Sequence, residues 1–180
     1  MNPTSPLAPA GVIQMAYVVE NIEEAMPRFT QALGIGPWFY FENFGFERLE
    51  YRGMPSQAKL SLCLGMSGGM MYELIQQRDE QPSVYREVQR ERGWGFHHYA
   101  VGVAPADYQR TVADYVARGY DKVLDAQVAV GAQAAYVDSR RDLQGMIEII
   151  EMTAPVHELF TMIRVAGDRW DGRDPIRRLG

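Results

Sequence analysis

The chain repeats itself, and that repeat limits its fold more than any other feature. Gln14-Met15-Ala16-Tyr17-Val18-Val19 answers to His98-Tyr99-Ala100-Val101-Gly102-Val103, and Met71-Tyr72-Glu73-Leu74-Ile75-Gln76 answers to Met146-Ile147-Glu148-Ile149-Ile150-Glu151. The paired stretches are the first and last strand-like segments of two units with the same order of elements, so one supersecondary unit is built twice. The expectation is one α+β domain over residues 1–180: a strand–helix–three-strand (βαβββ) module at 11–80, a second at 93–153, and a C-terminal helix and tail at 154–180.

Local signals order each module. Residues 11–19 alternate and are rich in Val and Ile, which predicts a strand with Gln14, Ala16 and Val18 on one face. Asn21 is placed to cap a helix, Glu23 and Glu24 suit its positive end, Ile22, Ala25, Met26, Phe29 and Leu33 recur at helical spacing, and Gly34 closes it. Pro27 inside that run predicts a kink or a restart. The aromatic stretch 36–51 reads as two strands joined near Asn43 and Gly45; 59–64 is a strand, 65–69 a turn and 70–76 another strand, with Met71, Glu73 and Ile75 on one face. Residues 78–92 form a charged connector with a short helix at 84–90 on a solvated face. In the second module Pro105 opens a helix marked by Tyr108, Val112, Tyr115 and Val116 and ended by Gly119, and strands follow at 122–127, 133–137 and 146–151. Thr153 is placed to cap an amphipathic helix at 155–170, assigned to packing or dimer contact. Residues 171–180 read as a polar tail and the first ten, with three prolines, as a loose arm.

Composition removes several function classes. With 180 residues and 47% hydrophobic content the chain can bury a real core. A net charge of -5 argues against nucleic acid or an anionic membrane as partner. The lone Cys63 excludes an internal disulfide framework and a Cys-rich zinc site, which suits a reducing cytoplasm. The start of the chain has neither the basic lead nor the apolar run of a secretory signal, and no stretch reaches the length of a membrane span.

The candidate chemistry centres on 93–103, which holds two of the three histidines. In an extended chain His98, Ala100 and Gly102 share one face, where the small residues leave space beside the imidazole; His97, Tyr99, Val101 and Val103 share the other. At repeat-equivalent positions stand Gln14 and His98 on the first strands and Glu73 and Glu148 on the last. Singly, each has an ordinary reading as a solvated or hydrogen-bonded side chain. Together, one imidazole, one amide oxygen and two carboxylates make a thiolate-free ligand set for a divalent ion such as Zn, Ni, Co, Mn or Mg, with positions left for water or substrate. Among the aromatics at 36–51, Phe39 and Phe41 read as sheet core, and Trp38 and Tyr40, on the other parity, as walls of an apolar pocket. With Ser61 these are the expected substrate contacts.

These stretches, with Gly95-Phe96-His97-His98-Tyr99-Ala100 and Gly145-Met146-Ile147-Glu148-Ile149-Ile150-Glu151 the most specific, resemble the vicinal oxygen chelate superfamily, which includes glyoxalase I and methylmalonyl-CoA epimerase. The resemblance covers 12–152. It implies paired βαβββ modules in a half-open barrel around a metal held by Gln14, Glu73, His98 and Glu148. It also implies that a substrate carbonyl is held at the metal while a proton leaves the neighbouring carbon, with Glu148 as base and Glu73 able to act on the other face. The Gln/Glu pair in the first module looks like the glyoxalase I set, whereas Gly-x-His-His looks like the epimerase branch. The epimerases' extra carboxylate has no counterpart in 59–64. The expected function is thus a metal-dependent isomerase, epimerase or lyase acting on an acyl thioester or an apolar keto compound, with a small-molecule substrate and a homodimeric assembly. A metal-free binding protein of the bleomycin-resistance type is the alternative, and an extradiol-type dioxygenase ranks third. The dioxygenase needs a second histidine, while His97 is expected on the opposite face and His157 beyond the sheet.

Overall fold

The computed structural model describes residues 11–179, so the expected arm at 1–10 lies outside the described residues. The first module opens with β1 (Val12–Val18) and α1 (Ile22–Leu33). Asn21 caps this helix, its Oδ1 accepting from the N–H of Glu23 at 3.0 Å and of Glu24 at 3.2 Å. Gly34 closes it in the left-handed conformation, and the helix runs through Pro27 without restarting. Then come β2 (Trp38–Phe44), β3 (Phe46–Tyr51), the short β4 (Met54–Pro55), β5 (Leu60–Ser67) and β6 (Met70–Gln77). A connecting helix α2 (Val84–Arg92) leads into β7 (Gly95–Val103). After a short turn at Pro105–Asp107 the second module continues with α3 (Tyr108–Ala117), β8 (Lys122–Val128), β9 (Gln133–Val137), the single-turn α4 (Arg140–Leu143) and β10 (Met146–Glu151). The chain ends with α5 (Ala154–Asp168) and β11 (Ile176–Arg178).

Among the described residues the strands form one mixed sheet in the order β11-β2-β5-β6-β1-β7-β10-β9-β8-β3-β4. Each module lays its last strand parallel to its first, β6 beside β1 and β10 beside β7, and the modules join through antiparallel β1 and β7. Helices cover one face of this sheet. Ile22, Ala25 and Met26 of α1 pack on Trp38, Tyr40, Cys63 and Leu74, while Tyr108 and Val112 of α3 pack on Val101, Val103, Val137 and Ile149. The other face is forced to curl. Only Gly45 separates β2 from β3, yet β2 pairs with β5 and β3 with β8, at opposite sides of the sheet. Edges one residue apart must face each other, but β2 and β3 share no ladder, so the sheet is half-open and not a closed barrel.

Tertiary packing overrides several local expectations. Strand β5 runs through Gly65 to Ser67, and the turn is confined to Gly68 and Gly69. A Cβ on Gly65 would stand 2.9 Å from both Ile35 Cγ2 and Trp38 Cε3, so the glycine makes room for the indole. Helix α2 is not on a solvated face: Val84, Tyr85 and Val88 are buried. Thr153 stands at the start of α5, but its hydroxyl caps nothing and is buried without a partner among the described residues. The polar tail contains a strand, β11, parallel to β2 and held by Trp38 N–H to Pro175 O at 2.8 Å and Leu179 N–H to Tyr40 O at 2.8 Å, which covers an otherwise open sheet edge. No helix of the described residues is long and apolar enough to cross a membrane.

An ion-pair network holds α2 in place. Glu87 accepts from Tyr51 Oη at 2.5 Å, from Arg52 Nη2 at 2.7 Å and from Arg140 Nη2 at 2.7 Å, linking α2 to β3 and α4. Burial alone would raise the Glu87 pKa, but hydrogen bonds from Arg52, Tyr51 and Arg140 outweigh it and depress it to about 2, from 4.5. A depressed carboxylate stabilises the fold above its unfolded pKa and loses that contribution as pH falls through the folded value. Comparing urea unfolding of the wild type with Glu87→Gln should therefore give a constant difference above pH 4.5 that shrinks toward pH 2. A gap that does not narrow with acid would show that the network, which is partly open to solvent, adds nothing.

Candidate active site

Register carries the repeat's polar residues to one point. Ala16 on β1 is the Cα partner of Glu73 on β6, with Gln14 two residues before it; Ala100 on β7 is the partner of Glu148 on β10, with His98 two residues before it. Across the joint between modules Gln14 pairs with Ala100 and Ala16 with His98. The four side chains thus surround a local two-fold, and the alanines are too small to fill the space between them. All four come from one chain and all are buried: His98 is 0% exposed, Gln14 3%, Glu73 7% and Glu148 8%.

Gln14 Nε2 donates to Glu73 Oε2 at 2.8 Å. His98 Nε2 lies 3.4 Å from Glu73 Oε2 and 3.4 Å from Glu148 Oε2, and it has no hydrogen-bond partner among the described residues. Its orientation follows from its neighbour. His97 Nε2 faces the Val84 carbonyl at 3.4 Å, and a carbonyl only accepts, so the proton of neutral His97 sits on Nε2 and Nδ1 is bare. That Nδ1, 2.9 Å from His98 Nδ1, then accepts from it, and His98 turns its Nε2 toward the two glutamates. Burial, then the nearness of His98, hold the His97 pKa well below its usual range, which keeps this neutral arrangement in place. Burial, then the Glu148 carboxylate, push the Glu73 pKa well up, against the hydrogen bond from Gln14.

His97 reaches His98 because β7 carries a bulge. Ala16 pairs with His98 and Tyr17 with Phe96, so His97 is an extra residue in the strand. Strict alternation puts it on the opposite face; the bulge re-aims it, and its ring stacks on Tyr85 with centroids 5.1 Å apart. It orients His98 and does not line the cavity.

One ring nitrogen and two carboxyl oxygens converge on one space, where a positive charge between them would be stabilised. Ligands each about 2.0–2.2 Å from a common ion stand roughly 3.0–3.5 Å apart in neighbouring positions, which agrees with the spacing found. Among the described residues no cage of three or more His, Cys, Asp or Glu ligands is preformed. Gln14 would serve as a fourth donor once a half-turn of its amide brought Oε1 round in place of Nε2. The donor set fits a divalent ion of hard to borderline character.

Gln14, Glu73 and Glu148 of the cluster line a cavity of about 750 Å³, its open mouth included. Its walls are apolar: Leu60, Leu62 and Leu64 from β5, Phe41, Phe44 and Phe46 from β2 and β3, Leu124, Ala126 and Val128 from β8, and Val156, Leu159 and Phe160 from α5. Beside the cluster lie the hydroxyls of Tyr85 and Tyr136, 3.2 Å apart, with the Tyr136 ring 4.7 Å from that of His98.

The expected substrate contacts are placed elsewhere. Trp38, Tyr40 and Ser61 point to the opposite face of the sheet. Trp38 and Tyr40 form the core under α1, with Trp38 Nε1 donating to Met26 O at 3.1 Å and to Thr30 Oγ1 at 2.9 Å. Ser61 hydrogen-bonds Glu42 O and accepts from Arg78 Nε at 2.7 Å. Helix α5, assigned to packing or dimer contact, is a cavity wall. Tyr85 and Tyr136 were not singled out in the sequence, although one signal for Tyr136 exists: it is the ladder partner of Glu148, as Leu64 is of Glu73.

A family profile described as Glyoxalase/Bleomycin resistance protein/Dioxygenase superfamily matches residues 13–137, ending before Glu148 and α5. No curated protein matches. Among solved structures, methylmalonyl-CoA epimerase from Mycobacterium tuberculosis is similar with a TM-score of 0.56 at 15% identity, over 87% of this chain and 97% of that one. A variant of Streptomyces coelicolor methylmalonyl-CoA epimerase, in complex with 2-nitronate-propionyl-CoA, gives 0.54 at 15% over 82% and 97%. A hypothetical protein from Bacillus halodurans gives 0.55 at 19% over 79% and 94%. At such identities the likeness shows the fold alone.

Proposed function

We propose that this chain, which belongs to the glyoxalase/bleomycin resistance protein/dioxygenase superfamily, is a divalent-metal-dependent isomerase, epimerase or lyase that removes a proton from the carbon beside a substrate carbonyl. The observation that carries the reading is His98 Nε2, buried, without a hydrogen-bond partner among the described residues and 3.4 Å from one oxygen of each glutamate. The shared fold with methylmalonyl-CoA epimerases supports chemistry of this kind.

Gln14, Glu73, His98 and Glu148 would hold the ion. When bound, a divalent ion supplies Lewis acidity toward a carbonyl oxygen. The remaining work falls to side chains of this chain. Glu148 makes no hydrogen bond among the described residues beyond its approach to His98, so Glu148 is the carboxylate that would take the proton. Glu73, across the local two-fold, can return a proton on the other face, which an epimerisation requires. The leucine and phenylalanine walls exclude water from the carbanion side, and the Tyr85/Tyr136 pair offers a neutral donor to a substrate oxygen. All four ligand positions lie in one chain, so the site does not need the pairing of two copies.

Metal analysis tests this first. Protein purified and dialysed without chelator should retain about one divalent ion per chain, and His98→Ala should lower the affinity by at least roughly 10–100-fold. If the native protein neither carries nor takes up divalent metal, the enzyme reading fails and a ligand-sequestering role for the same apolar cavity replaces it.

A further inference from the structure

We infer that the substrate is an uncharged carbonyl compound with a body of about one aromatic ring, enclosed whole within the chain, and that Phe160 of α5 decides what fits. This deepens the proposed function and rests on it only for the carbonyl.

Charge argues the first part. No Lys, Arg or His is among the residues lining the cavity, while Glu73 and Glu148 are, so any anionic group on a ligand would enter an apolar pocket whose ionisable carboxyl groups are both acidic. Two arginines outside it are engaged: Arg48 pairs with Asp125 and with Glu50 at 3.0 Å, and Arg178 with Glu23 at 2.9 Å. A divalent ion would do no more than balance the two carboxylates. The other polar groups are the Gln14 amide, whose Nε2 is engaged by Glu73, and two tyrosine hydroxyls, both in buried residues. In a pair of hydroxyls one proton lies between the oxygens and the other is left over, so the pair offers one neutral donor, suited to a ketone or hydroxyl oxygen.

Shape argues the second part. Phe44 stands edge-to-face with Phe41 at 6.2 Å and with Phe46 at 5.2 Å, an aromatic row along the bend from β2 into β3. Helix α5 closes the cavity from the other side with Val156, Leu159 and Phe160, and Phe160 packs in the same cluster as Phe44 and Phe46. An aromatic or alicyclic ring between these surfaces would meet further edge-to-face partners. A thioester on a long phosphorylated carrier has no cation here to meet its charges.

The test uses the metal-loaded protein and three probes: phenylacetone, its para-carboxylated analogue, and propionyl-CoA. Binding is read by calorimetry and proton exchange at the carbon beside the carbonyl by NMR in deuterated water. Phenylacetone should bind at least about tenfold tighter than the carboxylated analogue, and Phe160→Ala should weaken phenylacetone about tenfold without changing metal content. If Phe160→Ala does not fold, Phe160→Leu gives the same comparison with a smaller expected loss. Equal or tighter binding of either anionic probe, or unchanged affinity in the Phe160 variants, overturns the inference. Phenylacetone that binds as expected but does not exchange sinks the proton-abstraction reading and leaves this inference standing. Exchange on propionyl-CoA with no phenylacetone binding does the reverse.

Discussion

Glu148→Gln should slow proton exchange at the carbon beside a bound carbonyl by roughly a hundred- to ten-thousand-fold, the usual contribution of a positioned general base. An amide keeps an oxygen that can serve as a ligand but has no basic lone pair able to take a proton at neutral pH. Metal content should therefore fall far less in Glu148→Gln than in His98→Ala, and that split separates a base from a ligand. The comparison is made on phenylacetone by NMR, with metal measured on the same samples. An exchange rate within about threefold of the wild type would remove Glu148 as the base. Glu73→Gln would then be the variant to examine, since Glu73 faces the same space from the other module.

Trp38→Ala should destabilise the fold by about 3–5 kcal/mol, the usual range for emptying a buried aromatic site. The indole is fully buried among Ile35, Tyr40 and Cys63 beneath α1, and its N–H bonds both Met26 O and Thr30 Oγ1. A loss of that size is a large part of the stability of an ordinary domain, so partial unfolding at room temperature is expected. Trp38→Phe keeps most of the volume and should cost much less, which separates cavity formation from a general intolerance of change. Urea unfolding followed by far-UV circular dichroism measures both. Near-native stability of Trp38→Ala would contradict a core role and return this residue to consideration as a pocket wall.

That reversal shows what alternation can and cannot say. At Trp38, Phe39, Tyr40 and Phe41 both parities are aromatic, so the pattern reveals a strand buried on two sides but not which side meets α1. The register between β2 and β5 also slips between Phe41 and Phe44, which puts Phe41 and Phe44 on the cavity wall although they are three residues apart. His97 is hidden for the same reason, because a bulge breaks the parity on which the expectation rests. The two-module α+β fold, the helix caps at Asn21 and Gly34 and the convergence of Gln14, Glu73, His98 and Glu148 are legible, because each depends on spacing within one copy of the repeat or on equivalence between copies. Tyr85 is not, since Val84, Tyr85 and Val88 are too short a stripe to stand out in a charged connector. Nor is the role of α5: a stripe of Val156, Leu159, Phe160 and Ile163 announces a buried face without saying that part of it covers a cavity.

The single residue between β2 and β3 has a mechanical consequence. The seam it spans has no ladder hydrogen bonds, yet it cannot part, because Gly45 tethers one side to the other and its carbonyl is held by Ala129 N–H at 3.2 Å. Phe44 and Phe46 sit on the two lips of that seam. Widening it breaks no backbone bonds and disturbs only side-chain contacts, which makes it the least costly place for the wall to breathe. The travel of that stretch is limited by its own covalent length, and such a movement leaves Gln14, Glu73, His98 and Glu148 on the central strands where they are.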